Sequence, residues 1–153
     1  MIKKISLILC SFSLLSACAT VPSRTPSGEK IETGANTVVI ASKKSAQEFV
    51  RELKYRALER DFTFDKTDAD TFSFVTEMKP LNKKLSFQVK AFVKNVQGGS
   101  NAIIDGRYLK TKSKKKELQK ISNRSGKYRK PAWDAFFNFA TYDKGAKYRF
   151  IER

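Results

Sequence analysis

Leu85–Leu109, LSFQVKAFVKNVQGGSNAIIDGRYL, is the stretch whose reading decides the fold. Leu85, Phe87, Val89, Ala91 and Val93 alternate with Ser86, Gln88, Lys90 and Lys94. That period of two turns one side of a strand to a core and the other to water. Gln97-Gly98-Gly99-Ser100-Asn101 reads as a turn and Ala102 to Leu109 as the returning strand, which gives an antiparallel hairpin with a five-residue loop.

Upstream, Asn36–Ala41 (NTVVIA) is a short β-branched run and reads as a strand. Ser45 with Glu48 three positions later has the spacing of a capping box, in which each side chain satisfies the other residue's free N–H. Ala46, Phe49, Val50, Leu53 and Ala57 then fall on one helical face, while Arg51, Glu52, Tyr55, Arg56 and Glu59 fall elsewhere. From Asp61 to Glu77 the period returns to two. Phe62 and Phe64, then Phe72 and Phe74, form two arms around the polar centre Asp65 to Asp70. Asp65, Asp68 and Asp70 lack the Gly and closing Glu of a calcium loop, so they read as a solvated turn. Pro80-Leu81-Asn82-Lys83 reads as the turn before the hairpin.

Downstream, Pro131 suits a helix start, and Trp133, Phe136, Phe137 and Ala140 follow at helical spacing, with Lys144-Gly145 as the expected stop. Covering the sheet is the expected role of these rings. Trp133, Phe136, Phe137 and Phe139 are four large rings and exceed one narrow face, which would leave Phe139 or Tyr142 exposed as part of a contact patch. Tyr148, Phe150 and Ile151 could form a final edge strand. The expectation is an α+β domain, an antiparallel sheet packed by two helices in the order β-α-β-β-β-α with that strand after it. This order is similar to the helix-grip and TATA-binding-protein-like domains of several envelope lipoproteins, including one subunit of the barrel-assembly complex.

The first residues carry a different message. Lys3 and Lys4 precede an apolar run, Ile5 to Leu15, that ends in small residues, the arrangement of an export signal. The run falls short of the roughly 20 residues that a membrane-spanning helix needs. Leu15-Ser16-Ala17-Cys18 resembles the lipobox of bacterial lipoproteins. The resemblance implies cleavage between Ala17 and Cys18 and a diacylglycerol on the Cys18 thiol, with palmitate-like chains as the membrane anchor. Ala19 after the Cys implies sorting to the outer membrane, facing the periplasm. The competing reading takes Ala17-Cys18-Ala19 as an ordinary cleavage site and leaves a soluble periplasmic protein. The expected organisation is a signal peptide over 1–17, a lipidated Cys and flexible tether over 18–35 (rich in Pro, Gly, Ser and Thr), and one domain over 36–153. Cys10 leaves with the signal and Cys18 becomes a thioether, so no disulfide is expected in the mature chain.

Charge is the second strong compositional feature. The 153 residues include 31 Lys and Arg against 15 Asp and Glu, with no His. Loss of Lys3 and Lys4 would leave a net charge of +14, from 29 basic and 15 acidic side chains. Such an excess favours anionic surroundings and disfavours a cationic partner such as host lysozyme. Lys110 to Lys130 (KTKSKKKELQKISNRSGKYRK) holds ten of the basic residues and one acid, Glu117. It reads either as a solvated loop or as an anion-binding strip made by Lys114, Lys115, Lys116, Lys120, Arg124, Lys127, Arg129 and Lys130. In the envelope its ligands would be lipopolysaccharide, phospholipid headgroups or peptidoglycan. Tyr128 is the strip's one aromatic residue, which disfavours nucleic acid, whose bases usually stack on several rings.

Without His or a free Cys in the mature chain, imidazole triads, thiol nucleophiles and the usual zinc ligand sets are ruled out on composition. Ser27 to Lys30 and Ser113 to Lys116 match S-x-x-K, but one lies in the tether, the other in a Lys run, and the companion motifs are missing. No catalytic residue, metal or cofactor is therefore assigned. The expected function is a membrane-anchored, non-catalytic binding or assembly-accessory module acting with an envelope protein complex; the alternative is the anionic-ligand binder just described.

Overall fold

The computed structural model describes residues 23–113, 117–143 and 145–153. Ten elements follow in chain order: β1 (Thr37–Ser42), α1 (Ala46–Leu58), β2 (Phe64–Asp68), β3 (Ser73–Thr76), β4 (Lys79–Asn82), β5 (Leu85–Val96), β6 (Gly99–Lys110), β7 (Gln119–Lys120), α2 (Arg129–Ala140) and β8 (Lys147–Ile151). The alternating hairpin is the spine. β5 and β6 pair antiparallel along their whole length, from Leu85 opposite Lys110 to Val96 opposite Gly99. The sheet is open and antiparallel, ordered β2-β3-β5-β6-β1-β8, with β4 added to β5 and β7 to β6.

One face of this sheet is the core. Val38 and Ile40 of β1, Phe74 of β3, Phe87, Val89, Ala91 and Val93 of β5, and Ala102, Ile104 and Tyr108 of β6 are all buried there. Both helices lie over them. In α1 the buried residues are Ala46, Phe49, Val50, Leu53 and Ala57, the face expected from the spacing. Its capping box is formed, the Ser45 N–H donating to Glu48 Oε2 at 3.1 Å and the Glu48 N–H to Ser45 Oγ at 3.3 Å. Such a cap stabilises a helix by about 1 kcal/mol. α2 has no side-chain cap and depends on burial of Ala132, Trp133, Phe136, Phe139 and Ala140. Each fully buried large apolar side chain contributes about 2 kcal/mol. Phe62, on the turn after α1, links the layers edge-to-face with Phe87 at 5.2 Å and Phe139 at 5.7 Å.

α2 reaches the sheet where β6 has no side chain. A Cβ on Gly106 would lie 2.8 Å from Ile121 Cδ1 and 2.9 Å from Phe136 Cδ2. The glycine is a packing requirement there: its empty face holds both side chains.

Several expectations need correction. The sheet has eight strands, three more than the order β-α-β-β-β-α with a last strand contains. Pro80 lies inside β4, which pairs with β5 alone, so its missing N–H removes no bond from a central ladder. The hairpin loop is two residues, Gln97-Gly98, not five: Gly98 takes φ +79, and Gly99 lies so close to β1 that a Cβ would sit 2.1 Å from the Ser42 carbonyl oxygen. α2 ends at Ala140, where the Thr141 hydroxyl donates to the Phe137 carbonyl, rather than at Lys144-Gly145; Lys144 is outside the described residues. Phe139 is buried against Phe62, and Tyr142 is half-buried, so neither is the exposed ring expected. The expected tether is partly folded. Arg24 and Lys30 bridge a short turn, and Ile31 and Ala35 are buried, because Asn36 and the residues before it follow the edge of the sheet beside 121–124.

Gly106→Ala should destabilise the protein by about 1–3 kcal/mol in urea or thermal unfolding, the usual cost of forcing a methyl group into a packed site. Gly145→Ala, with only ordinary contacts and no positive φ, should stay within about 0.5 kcal/mol of the parent.

Candidate binding surfaces

Among the described residues, no helix lies over the face of the sheet away from α1 and α2. Register places Phe92, Ile103 and Val39 in one row across β5, β6 and β1, with Arg149 of β8 at its end. Lys94 and Lys147 flank this row on one side; Lys90, Asp105 and Thr37 flank it on the other, with Arg107 and Lys120 beyond. Phe92 is 37% exposed, whereas Ile103 and Val39 are half-buried by their neighbours. An apolar centre within a cationic surround results. Asp105 and Asp68 are the only carboxylates that register assigns to this face among the described strands, against Lys66, Lys90, Lys94, Arg107, Lys120, Lys147 and Arg149.

The basic stretch expected as an anion strip divides in two. Lys114, Lys115 and Lys116 lie outside the described residues, as do Ala17 and Cys18. The remainder is folded: Gln119-Lys120 form β7, and Ile121 and Asn123 are buried. The Gly34 N–H donates to the Asn123 carbonyl and the Asn123 N–H to the Ala35 carbonyl, so residues 34–35 and 123 are paired backbone to backbone. Lys120 donates to the Arg153 main-chain oxygen at 2.9 Å, Arg124 pairs with Glu152 at 3.3 Å and Lys130 with Asp134 at 2.6 Å. Arg107, Lys127 and Arg129 are exposed and have no carboxylate within 4.0 Å among the described residues. Two ammonium groups approach the Tyr128 ring, Lys110 at 5.1 Å and Lys127 at 5.8 Å from its centre. The five described strip residues therefore share one end of the molecule, two of them neutralised by neighbouring carboxylates.

A cleft of about 510 Å³ occupies the opposite end, between the start of α1, the Gln97-Gly98 turn and the segment after α2. Ile40, Phe49, Val96 and Ala146 give it an apolar lining, and Lys43, Lys44, Glu52, Tyr142 and Lys147 a polar rim. Arg56 stacks on the Tyr142 ring at 4.2 Å, and the Tyr142 hydroxyl donates to Glu52 Oε1 at 3.2 Å. Glu52 also pairs with Lys44. Burial, and then the Glu52 carboxylate, push the Tyr142 hydroxyl well above its ordinary titration range. It serves as a hydrogen-bond donor rather than a base. Ser27 of the first S-x-x-K match is engaged with the Thr25 hydroxyl at 2.8 Å. Asp68 accepts the N–H groups of Asp70 and Thr71, and the bonds from Thr71 hold its carboxyl below the usual range. It closes the β2–β3 turn.

Sequence reading missed the cationic sheet face because its charges are spread over separate strands. The even positions of β5 were legible as a solvent side, but their juxtaposition with Arg107, Lys147 and Arg149 needs the strand order. On α1, Tyr55 and Leu58 are 62% and 51% exposed. No protein-family model matches the chain, and no curated protein matches it in sequence.

Tyr142→Phe should lower stability by about 1 kcal/mol at neutral pH through loss of the bond to Glu52. A hydroxyl whose folded pKa is raised contributes stability that is present below pH 10, its ordinary pKa, and is lost as the pH rises above it. The stability difference between parent and variant should therefore shrink above pH 10 in denaturant titrations; a constant difference would contradict the assignment.

Proposed function

We propose that the protein is a lipid-anchored outer-membrane lipoprotein, facing the periplasm, which acts by binding rather than catalysis. The anchor is Cys18, lipidated after cleavage behind Ala17, as the lipobox resemblance implies. The likeness to helix-grip and TATA-binding-protein-like lipoprotein domains rests on the element order read from the sequence, which does not contain β4 and β7. Fold likeness carries no function by itself.

The observation that carries the binding role is the uncovered sheet face, where Phe92, Ile103 and Val39 form an apolar row surrounded by cations. Protein interfaces are commonly built with a desolvated apolar centre and a charged rim that steers the partner. An acidic surface of an envelope protein complex is complementary to this one, which makes the module an accessory of assembly. A second reading, binding of an anionic envelope ligand by the basic stretch, is favoured by the unpaired Arg107, Lys127 and Arg129 at the anchored end.

A photo-crosslinking residue placed at Phe92 in the full-length protein, expressed in its native envelope, should yield one discrete adduct with a protein that bears an acidic surface. The adduct should disappear with Lys90→Glu, Lys94→Glu and Arg149→Glu combined. Adducts at a Tyr55 probe and none at Phe92 would move the contact surface to α1.

A further inference from the structure

We propose that the end of the domain carrying Arg107, Lys120, Arg124, Lys127 and Arg129 rests on the anionic lipid headgroups of the membrane that anchors the chain, holding the cleft away from it. The inference rests on the lipid anchor proposed for Cys18, and it adds an orientation and a second ligand.

Two observations meet here. The first is chain length. Residues 23–31 close on themselves as a bridged turn and residues 34–36 pair with the body, which leaves five residue steps between Cys18 and Ser23, and five residues span at most about 18 Å when fully extended. Such a tether keeps the domain within one molecular diameter of the bilayer. The second is where the tether joins. The Ile31 N–H donates to the Ser23 carbonyl at 2.7 Å, and three residues later Gly34 donates to Asn123, so the chain enters the domain beside the basic segment. From there to the Gln97-Gly98 turn, β6 runs eight residue steps from Arg107 to Gly99, about 27 Å at strand rise.

Charge then selects the face that turns down. Arg107, Lys127 and Arg129 are exposed without a carboxylate partner, and cations close to an anionic leaflet are attracted over a screening length of about 8 Å at physiological salt. Glu152 neutralises Arg124, and Glu29 and Glu32 lie in the neighbouring segment, so the attraction depends on the unpaired three. Lipid phosphate is the chemistry within their reach. The cleft, at the far end of β1 and β6, then opens toward the periplasm.

The mature chain offers no thiol besides Cys18, so single labels are unambiguous. Full-length lipidated protein with Ser125→Cys or Gln97→Cys, each labelled with a fluorophore, is placed in vesicles containing headgroup-quencher lipid, either with phosphatidylglycerol or with phosphatidylcholine alone. Quenching of the Ser125 label should exceed that of the Gln97 label severalfold in phosphatidylglycerol vesicles. The preference should collapse in phosphatidylcholine vesicles, at about 1 M salt, where screening shortens to about 3 Å, and in the triple variant Arg107→Glu, Lys127→Glu, Arg129→Glu. Equal quenching of both labels overturns the docking, and so does a preference indifferent to lipid charge and salt. The intact mass of the mature protein reads the anchor independently: a mass without acyl chains overturns the anchor and this orientation together, whereas a lipidated protein with equal quenching overturns the docking alone.

Discussion

At residue 106 the sheet has no side chain, and the rest of the domain is fitted to that gap. Phe136 of α2 and Ile121 at the end of β7 both occupy it. One contact thus fixes the depth of the second helix and the course of the basic stretch, which would otherwise have little reason to stay close to the body. Ile121 is fully buried, its N–H donates to the Gly106 carbonyl, and the Asn123 N–H donates to the Ala35 carbonyl. A stretch dominated by repelling cations is held in place by one apolar residue and a few main-chain bonds, because repulsion between solvated charges costs little and burial contributes about 2 kcal/mol.

The same arrangement sorts the surface. The buried apolar strand residues turn to the helices, which leaves mostly polar and cationic residues for the other face, and Phe92, Ile103 and Val39 among them are collected into one row by register alone. The molecule is polarised along its strands as well. The segment leading from residue 23, the basic stretch and residues 152–153 meet at one end, while the cleft and the tight Gln97-Gly98 turn occupy the other.

What could be read from the residues is what local periodicity encodes. The α1 face, its capping box and the β5–β6 alternation follow from spacing within a single element, and each is present as read. Pro80 misled because proline is a turn residue when neighbours are unknown, yet it is harmless in a strand with one partner. The Gln97–Asn101 loop was read too long because Gly99 and Ser100 look like turn residues, whereas close approach to Ser42 is what demands Gly99. Residues 23–35 read as tether because a composition of Pro, Gly and Ser hides Ile31, whose burial depends on the distant residues around Asn123. The cationic face was illegible for the same reason: its members belong to five strands, and their adjacency is a property of topology.

The pairing of β1 with β8 has a consequence in time. The Asn36 side chain bonds both the N–H and the main-chain oxygen of Arg153, a separation of 117 residues, and β8 completes one side of β1. Contacts of such sequence separation form late, after the entropy of closing a long loop has been overcome. A chain delivered from its N-terminal end would therefore keep β1 half-paired until residue 151 arrived. Local structure such as α1 and the β5–β6 hairpin can form before then, but the edge of the sheet that β1 shares with β8 closes last.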